Sequence, residues 1–264
     1  MTIEICVADA DGARAAAEGG ADRVELCSAL EIGGVTPSWG LLQRALASAP
    51  GLAITVLIRP RGGGFVFSPG EVDVMVADVA HLVGLTASEA GRVGFTVGAL
   101  TPDGGLDVPT LGRLVEAADG RRLCFHKGFD SLPSPADGLA ALGELGFSGV
   151  LTSGGHGPAS EHHGELARLV DAAPPGVRVI AAGGVRASSG FPPVSGLAEC
   201  TRRTKNGVAE WGRGPGPTRL SRGASCVFSE SDPSITIPVF GVTSTPTQNE
   251  RYNARVAPAM VSLT

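Results

Sequence analysis

The chain has 264 residues, a formal net charge of −5 and a pI near 5.6. It shows no basic stripe, so neither nucleic acid nor an anionic membrane is an expected partner, and no run reaches the roughly 20 apolar residues of a membrane span. The acidic start differs from a secretory signal, and the five scattered cysteines contain no Cys-x-x-Cys pair. Together these features favour a reduced, cytoplasmic protein.

Short β-rich runs alternate with helical runs along the first two thirds of the chain. The predicted strands are Ile3–Val7, Arg23–Ser28, Ala53–Ile58, Arg92–Val97, Arg122–His126, Gly149–Thr152 and Arg178–Ala182. The predicted helices are Ala8–Gly19, Pro37–Ala47 with Thr36 as its cap, Gly70–Leu85, Asp107–Ala118, Pro135–Leu145 and Glu161–Ala173. This alternation predicts parallel strands joined by crossover helices.

Two architectures fit seven such units, an eight-stranded barrel and a doubly wound open sheet. No G-x-G-x-x-G follows the first strand, which speaks against a nucleotide cofactor and favours a single parallel (β/α)8 barrel of the TIM type. Residues 1–211 are predicted to form this barrel, with a weak helix within Gly196–Thr204 and a short eighth strand at Asn206–Trp211. Residues 212–264 are predicted to be an irregular extension. A second copy of the chain could cover the edge of an imperfectly closed barrel.

Glu25 and Cys27 lie two apart in a predicted strand, so their side chains share one face. A buried carboxylate needs a partner, and Arg59 and Arg61 at the end of the third strand are predicted to pair with Glu25 and with Glu4. The same two arginines also suit a small carboxylate or phosphate ligand.

A Glu-apolar-Cys pattern occurs twice, at Glu4–Cys6 and at Glu25–Cys27. Because the two strands are adjacent, we expect the two thiols to be neighbours. A pair of thiolates suits Cu(I). The alternative is that Cys6 and Cys27 simply fill space in the core, as free cysteines often do.

Polar residues also follow the later strands, where barrel enzymes bind their ligands. His126 is a candidate general acid or base and Asp130 a candidate loop carboxylate, whereas Lys127 is predicted to face away from His126. The candidate contacts to an anionic substrate are Glu4, Arg59, Arg61, Thr152, Ser153, Gly154, Gly183 and Gly184. The glycine loops could offer backbone N–H groups to a phosphate, although tight βα turns also require glycine.

Several of these stretches together resemble the CutC family, which is named for copper homeostasis. They include E-I-C-V at 4–7, G-G-A-D-R-V-E-L-C-S-A-L at 19–30, I-R-P-R-G-G at 58–63, F-H-K-G-F-D at 125–130, V-L-T-S-G-G at 150–155 and A-G-G-V at 182–185. The resemblance implies a β/α barrel in the cytoplasm, an association with copper, and Cys6 and Cys27 as copper ligands. The family's usual His-containing motif at the eighth strand is absent after Asn206–Trp211.

Three functions therefore stand side by side. The first is copper homeostasis with Cu(I) bound by thiols. The second is an enzyme that acts on a small phosphorylated or carboxylated substrate, with Glu25 or His126 in acid–base chemistry and Arg59 and Arg61 holding the anion. The third is a degenerate barrel without activity, given the altered last quarter of the chain.

Overall fold

The computed structural model describes residues 2–184 and the backbone of residues 199–203. Its strands are β1 (Thr2–Val7), β2 (Arg23–Leu26), β3 (Ala53–Leu57), β4 (Val93–Val97), β5 (Leu123–Phe125), β6 (Gly149–Thr152), β7 (Arg178–Ala182) and β8 (Glu199–Arg203). Its α-helices are α1 (Ala10–Glu18), α2 (Trp39–Ser48), α3 (Pro69–Leu85), α4 (Val108–Ala117), α5 (Pro135–Glu144) and α6 (His163–Ala172). Short 3-10 turns occupy Leu30–Ile32, Ala87–Glu89, Lys127–Ser131 and Ala159–Glu161.

The first seven strands form one curled parallel sheet in which each strand pairs with the next. The α/β alternation predicted from the sequence is confirmed. None of the helices in the described ranges is both long and apolar enough to cross a bilayer.

The strand β8 pairs in parallel with both β7 and β1. The helix predicted within Gly196–Thr204 is therefore wrong for Glu199–Arg203. The exposed edges of β1 and β7 provide backbone hydrogen-bond partners for this segment as a strand. The strand predicted at Asn206–Trp211 and the domain boundary at residues 211 and 212 lie outside the described residues. An eight-unit barrel with a helix after every strand stays a prediction.

Local sequence signals explain where the helices begin. Ser68 and Glu71 form a reciprocal capping box at the start of α3, with Pro69 in its first turn. The cap predicted for α2 is wrong by two residues, because Ser38 accepts from the backbone N–H of Leu41. Thr36 instead hydrogen bonds with the backbone of Arg59, and so ties the loop after β2 to the end of β3.

The two faces of the sheet differ in chemistry. Residues such as Val24, Ile54 and Phe95 pack against the helices in the main core. The alternate residues face the interior of the curled sheet, and on β1 to β4 they are largely polar: Glu4, Cys6, Arg23, Glu25, Thr55 and Thr96. On β5 to β7 the interior is an apolar cluster of Cys124, Leu151, Ile180 and Ala182. The polar side of this interior holds the candidate site.

Candidate functional site

Glu4 does not pair with an arginine at the end of β3. Its Oε2 accepts hydrogen bonds from Nε of Arg23 at 2.9 Å and from Nη2 at 2.5 Å, and both side chains are buried. Glu4 and Arg23 are opposite each other in the register of β1 and β2. The predicted pairing of Glu4 with Arg59 or Arg61 is therefore wrong, since the neighbouring strand supplies a closer cation.

Arg61 points outward rather than into the curled sheet. Its Nε lies 2.5 Å from Oε1 of Glu71, and the Arg61 side chain is 41% exposed. This hydrogen bond, followed by one from the Ser68 backbone, lowers the pKa of Glu71 to about 2. Arg61 thus stabilises the start of α3, and its predicted role as a partner of Glu25 is wrong.

Arg59 is buried and is held by backbone carbonyl oxygens. Its Nη1 donates to Gly34 at 3.1 Å and its Nη2 donates to Gly63. Its Cζ also lies 4.9 Å from the centre of the Phe65 ring. Burial lowers the pKa of Arg59 from its usual value, with a smaller contribution from Arg61. Within the described part of the chain Arg59 has no carboxylate partner, so its predicted ion pair with Glu25 is also wrong.

Glu25 keeps its proton far more strongly than an ordinary glutamic acid. Burial raises its pKa to about 7, and the negative charge of Glu4 adds to the effect. The neighbouring Cys6 thiol, the Thr96 hydroxyl and the charge of Arg23 act in the opposite direction. Glu25 can therefore gain or lose a proton near neutral pH, which is a property that acid–base catalysts need.

The Cys6 and Cys27 sulfurs are neighbours, as the sequence predicted. Their Sγ atoms are 3.8 Å apart, and both are free thiols. Cys27 is fully buried and its Sγ lies 3.6 Å from the carbonyl oxygen of Val7, whereas Cys6 is only partly covered. The pKa of Cys6 is raised well above its usual range, first by the contact with Cys27 and then by burial and the Glu25 charge. Cys6 is therefore a thiol rather than a thiolate in the metal-free protein.

His126 lies at the end of β5 with its ring over Gly98. A Cβ atom at Gly98 would come within 2.6 Å of Nδ1 and 2.7 Å of Nε2, so only glycine leaves room for the ring. The ring also contacts Phe65, with 4.4 Å between centres. Burial lowers the pKa of His126 to about 4, so the ring is neutral at physiological pH.

Asp130 organises the loops after β5 and β6. Its carboxylate accepts from the hydroxyl of Thr152, from both the backbone N–H and the hydroxyl of Ser153, and it lies 3.0 Å from Nζ of Lys127. Lys127 also donates to the Ser153 hydroxyl at 2.8 Å. Lys127 was predicted to face away from His126 and so to point out of the site. Its contacts with Asp130 and Ser153 show that this is wrong, because a 3-10 turn begins at Lys127 and breaks the alternation of the strand.

The glycine loops are tight turns whose N–H groups are partly engaged. Gly154, Gly183 and Gly184 have positive φ angles, which favour glycine. The Gly154 N–H donates to the Thr152 hydroxyl, and with the Ser153 N–H bonded to Asp130, two donors of the predicted phosphate cradle already have protein acceptors. A Cβ at Gly183 would come within 2.7 Å of Nζ of Lys127, so glycine there lets the lysine reach over the turn.

The structure adds residues that the pattern did not single out. Phe65 bridges Arg59 and His126, and Thr36 fixes the Arg59 backbone. The position of Phe65 directly after three glycines was a signal, because an aromatic residue after a flexible loop can fold back over a strand end.

Across residues 2–184, no group of three or more His, Cys, Asp or Glu side chains is arranged to hold a metal ion.

Known proteins match most of the chain. Residues 1–199 match the family model described as the CutC family. A CutC family protein from Agrobacterium fabrum is 45% identical over 189 residues, covering 72% of this chain and 72% of the relative. Another from Caulobacter vibrioides is 41% identical over 210 residues, covering 80% of this chain and 79% of the relative.

Solved structures agree with the fold. A CutC crystal structure from Streptococcus agalactiae, provisionally assigned to copper homeostasis, is 28% identical with a TM-score of 0.70, and the match covers 76% of this chain and 98% of that one. A Burkholderia cenocepacia protein provisionally described as a phosphonomutase has a TM-score of 0.54 at 17% identity, covering 76% and 86% of the two chains, and is similar in fold alone. On the family match and the identities of its relatives, the chain belongs to the CutC family.

Proposed function

We propose that this CutC protein acts in copper homeostasis by binding Cu(I) between Cys6 and Cys27. The observation that carries the proposal is the 3.8 Å distance between the two sulfurs. Thiolates are soft ligands that select Cu(I), and two of them suffice for linear coordination. Copper is the cargo here, and within the described residues the two thiols are its ligands.

The pair needs little rearrangement to accept a metal. If the zinc–thiolate bond length of about 2.3 Å is taken as a guide, a linear site places its sulfurs about 4.6 Å apart. The sulfurs therefore have to separate by less than about 1 Å. Cys6 is the more exposed of the two, so it is the group that an arriving ion meets first.

The metal has to displace the proton of the Cys6 thiol. The pKa of Cys6 is raised well above its usual range, so the thiol proton leaves only when the metal replaces it. Binding therefore releases protons, and the affinity weakens as pH falls.

A competition titration with a Cu(I) chelator tests this function. The reduced protein is compared with the double variant Cys6→Ser, Cys27→Ser and with the matched control Cys124→Ser, which removes a buried thiol from the apolar cluster. We expect a strong loss of Cu(I) affinity in the double variant and none in the control. Unchanged affinity in the double variant would rule out the thiol pair.

We further propose a complete (β/α)8 barrel and a cytoplasmic location. The pairing of β8 with both β7 and β1 supports the closed barrel. The persistence of two neighbouring free thiols is consistent with a reducing compartment, where such pairs stay unoxidised. Fractionation of cells, with an alkylation assay for the thiols, tests the location.

A further inference from the structure

Three buried polar atoms near the carboxyl ends of β3 to β5 lack a hydrogen-bond partner within the described residues. They are Nε of Arg59, Oγ1 of Thr96 and Nε2 of His126. All three residues are at least nine-tenths buried. A buried donor without an acceptor is costly, so three of them in one region point to an acceptor that the described residues do not supply.

The hydrogen bonding of the His126 ring makes Nε2 a donor. Nδ1 accepts the backbone N–H of Gly128 at 3.1 Å, so this nitrogen carries no proton. A neutral imidazole then carries its one proton on Nε2. The low pKa of His126 agrees with this neutral tautomer.

The Arg59 guanidinium leaves one donor edge available. Its two terminal nitrogens are used by the carbonyl oxygens of Gly34 and Gly63, which fix the plane of the group. The Nε–H is left over. Arg59 therefore supplies one positive charge and one directed donor.

The strand register brings these groups together. Leu57 of β3, Thr96 of β4 and Cys124 of β5 are partners in one row. Two residues further along, Arg59, Gly98 and His126 form the next row on the same face. Gly98 has no side chain, so the His126 ring lies over it, and Phe65 contacts both the ring and the guanidinium.

We propose that Arg59, Thr96 and His126 form a binding site for a small monocarboxylate, with Glu25 lying between this site and the thiol pair. Three donors and one positive charge match a carboxylate with a further acceptor oxygen beside it, as in a 2-oxo acid. A phosphate dianion fits less well, because Arg59 is the one cation among the three residues and the Glu25 carboxyl lies beside Thr96. The proposed carboxylate site uses neither thiol, so its test is independent of the test for Cu(I) binding.

The test uses pyruvate as the probe on the full-length, reduced, metal-free protein. Binding is measured by calorimetry and by the shift in Tm, with sodium chloride at equal ionic strength as the reference and inorganic phosphate as the competing anion. The variant is Thr96→Val, which keeps the shape of the side chain and removes a hydroxyl that lies beside the Glu25 carboxyl; the Tm of the ligand-free variant checks that it folds. The matched control is Thr86→Val, whose buried hydroxyl bonds to the carbonyl of Leu82 away from the site.

We expect pyruvate to raise the Tm in a concentration-dependent way and to bind about tenfold more weakly to Thr96→Val, because a hydrogen bond to a charged ligand is lost. Thr86→Val should bind like the parent. The proposal is overturned if pyruvate causes no shift beyond that of chloride, or if Thr96→Val binds it as tightly as the parent. Tighter binding of phosphate than of pyruvate would overturn the assignment to a carboxylate.

Discussion

Glu4 and Arg23 form a buried ion pair between the first two strands, with the Arg23 Nε 2.9 Å from Oε2 of Glu4. The pair occupies the interior of the curled sheet, below Cys6 and Glu25. The Glu4 carboxylate of this pair supplies the negative charge that helps to keep Glu25 protonated. The ion pair and the protonated carboxyl belong to one electrostatic system on the polar side of the sheet.

We expect Glu4→Gln to lower the free energy of unfolding by roughly 3 kcal/mol, because it removes the carboxylate from a buried ion pair with Arg23. Urea denaturation at neutral pH measures the change. The matched control is Asp73→Asn, which removes the acid of the exposed Arg113–Asp73 pair and should cost less than about 1 kcal/mol. Equal losses in the two variants would contradict a special role for the buried pair.

The stability of the protein should fall between pH 4.5 and 7 because of Glu25. Its pKa rises on folding from the ordinary 4.5 to about 7, so the folded state holds this proton more tightly than the unfolded state. The contribution to stability is fully present below pH 4.5 and is lost as pH rises through 7. Relative to Glu25→Gln, which cannot ionise, the parent should lose on the order of 3 kcal/mol across this window.

Urea unfolding of the metal-free protein at a series of pH values checks this difference. His126 titrates in both proteins, so its effect cancels. Glu71→Gln is an informative comparison, because the pKa of Glu71 falls to about 2 and its contribution is present above pH 4.5 and lost as pH falls toward 2. A flat difference between the parent and Glu25→Gln from pH 4.5 to 7 would mean that Glu25 ionises normally.

Gly98→Ala should displace the His126 ring. The new methyl group would lie within 2.7 Å of Nε2 and closer still to other ring atoms, and overpacking of this kind costs about 1–3 kcal/mol. Thermal unfolding measures the loss, and the His126 imidazole signals in NMR report the movement of the ring. Gly112→Ala, in the middle of α4 with open space around it, should instead raise stability by up to about 1 kcal/mol.

Asp130→Ala should loosen the loops after β5 and β6. The substitution leaves the buried N–H of Ser153 without its acceptor and Lys127 without its carboxylate, at a cost of about 2–3 kcal/mol. Hydrogen exchange at Ser153 should accelerate. Asp137→Asn, an exposed acid in the first turn of α5, should change stability by less than about 0.5 kcal/mol; an equal effect of the two substitutions would contradict the role given to Asp130.

The parallel alternation of strands and helices was predictable from the sequence alone, because apolar runs, capping residues and glycine turns are local signals. The ends of the seven strands lie within two residues of the predicted ends. The neighbouring thiols were also predictable, since Cys6 and Cys27 occupy interior positions on adjacent strands and a strand's side chains alternate with a period of two.

The partners of the charged residues were decided only by the tertiary structure. Glu4 bonds to Arg23 because the register of β1 and β2 sets them opposite each other, and Arg61 turns outward because Glu71 of the α3 capping box is within reach. Arg59 is held by carbonyl oxygens and not by a carboxylate. The sequence predicts that a buried Glu25 carboxylate needs its negative charge compensated. In the structure Glu25 instead retains its proton, because it is buried beside Glu4, and these distances are set only by the folded chain.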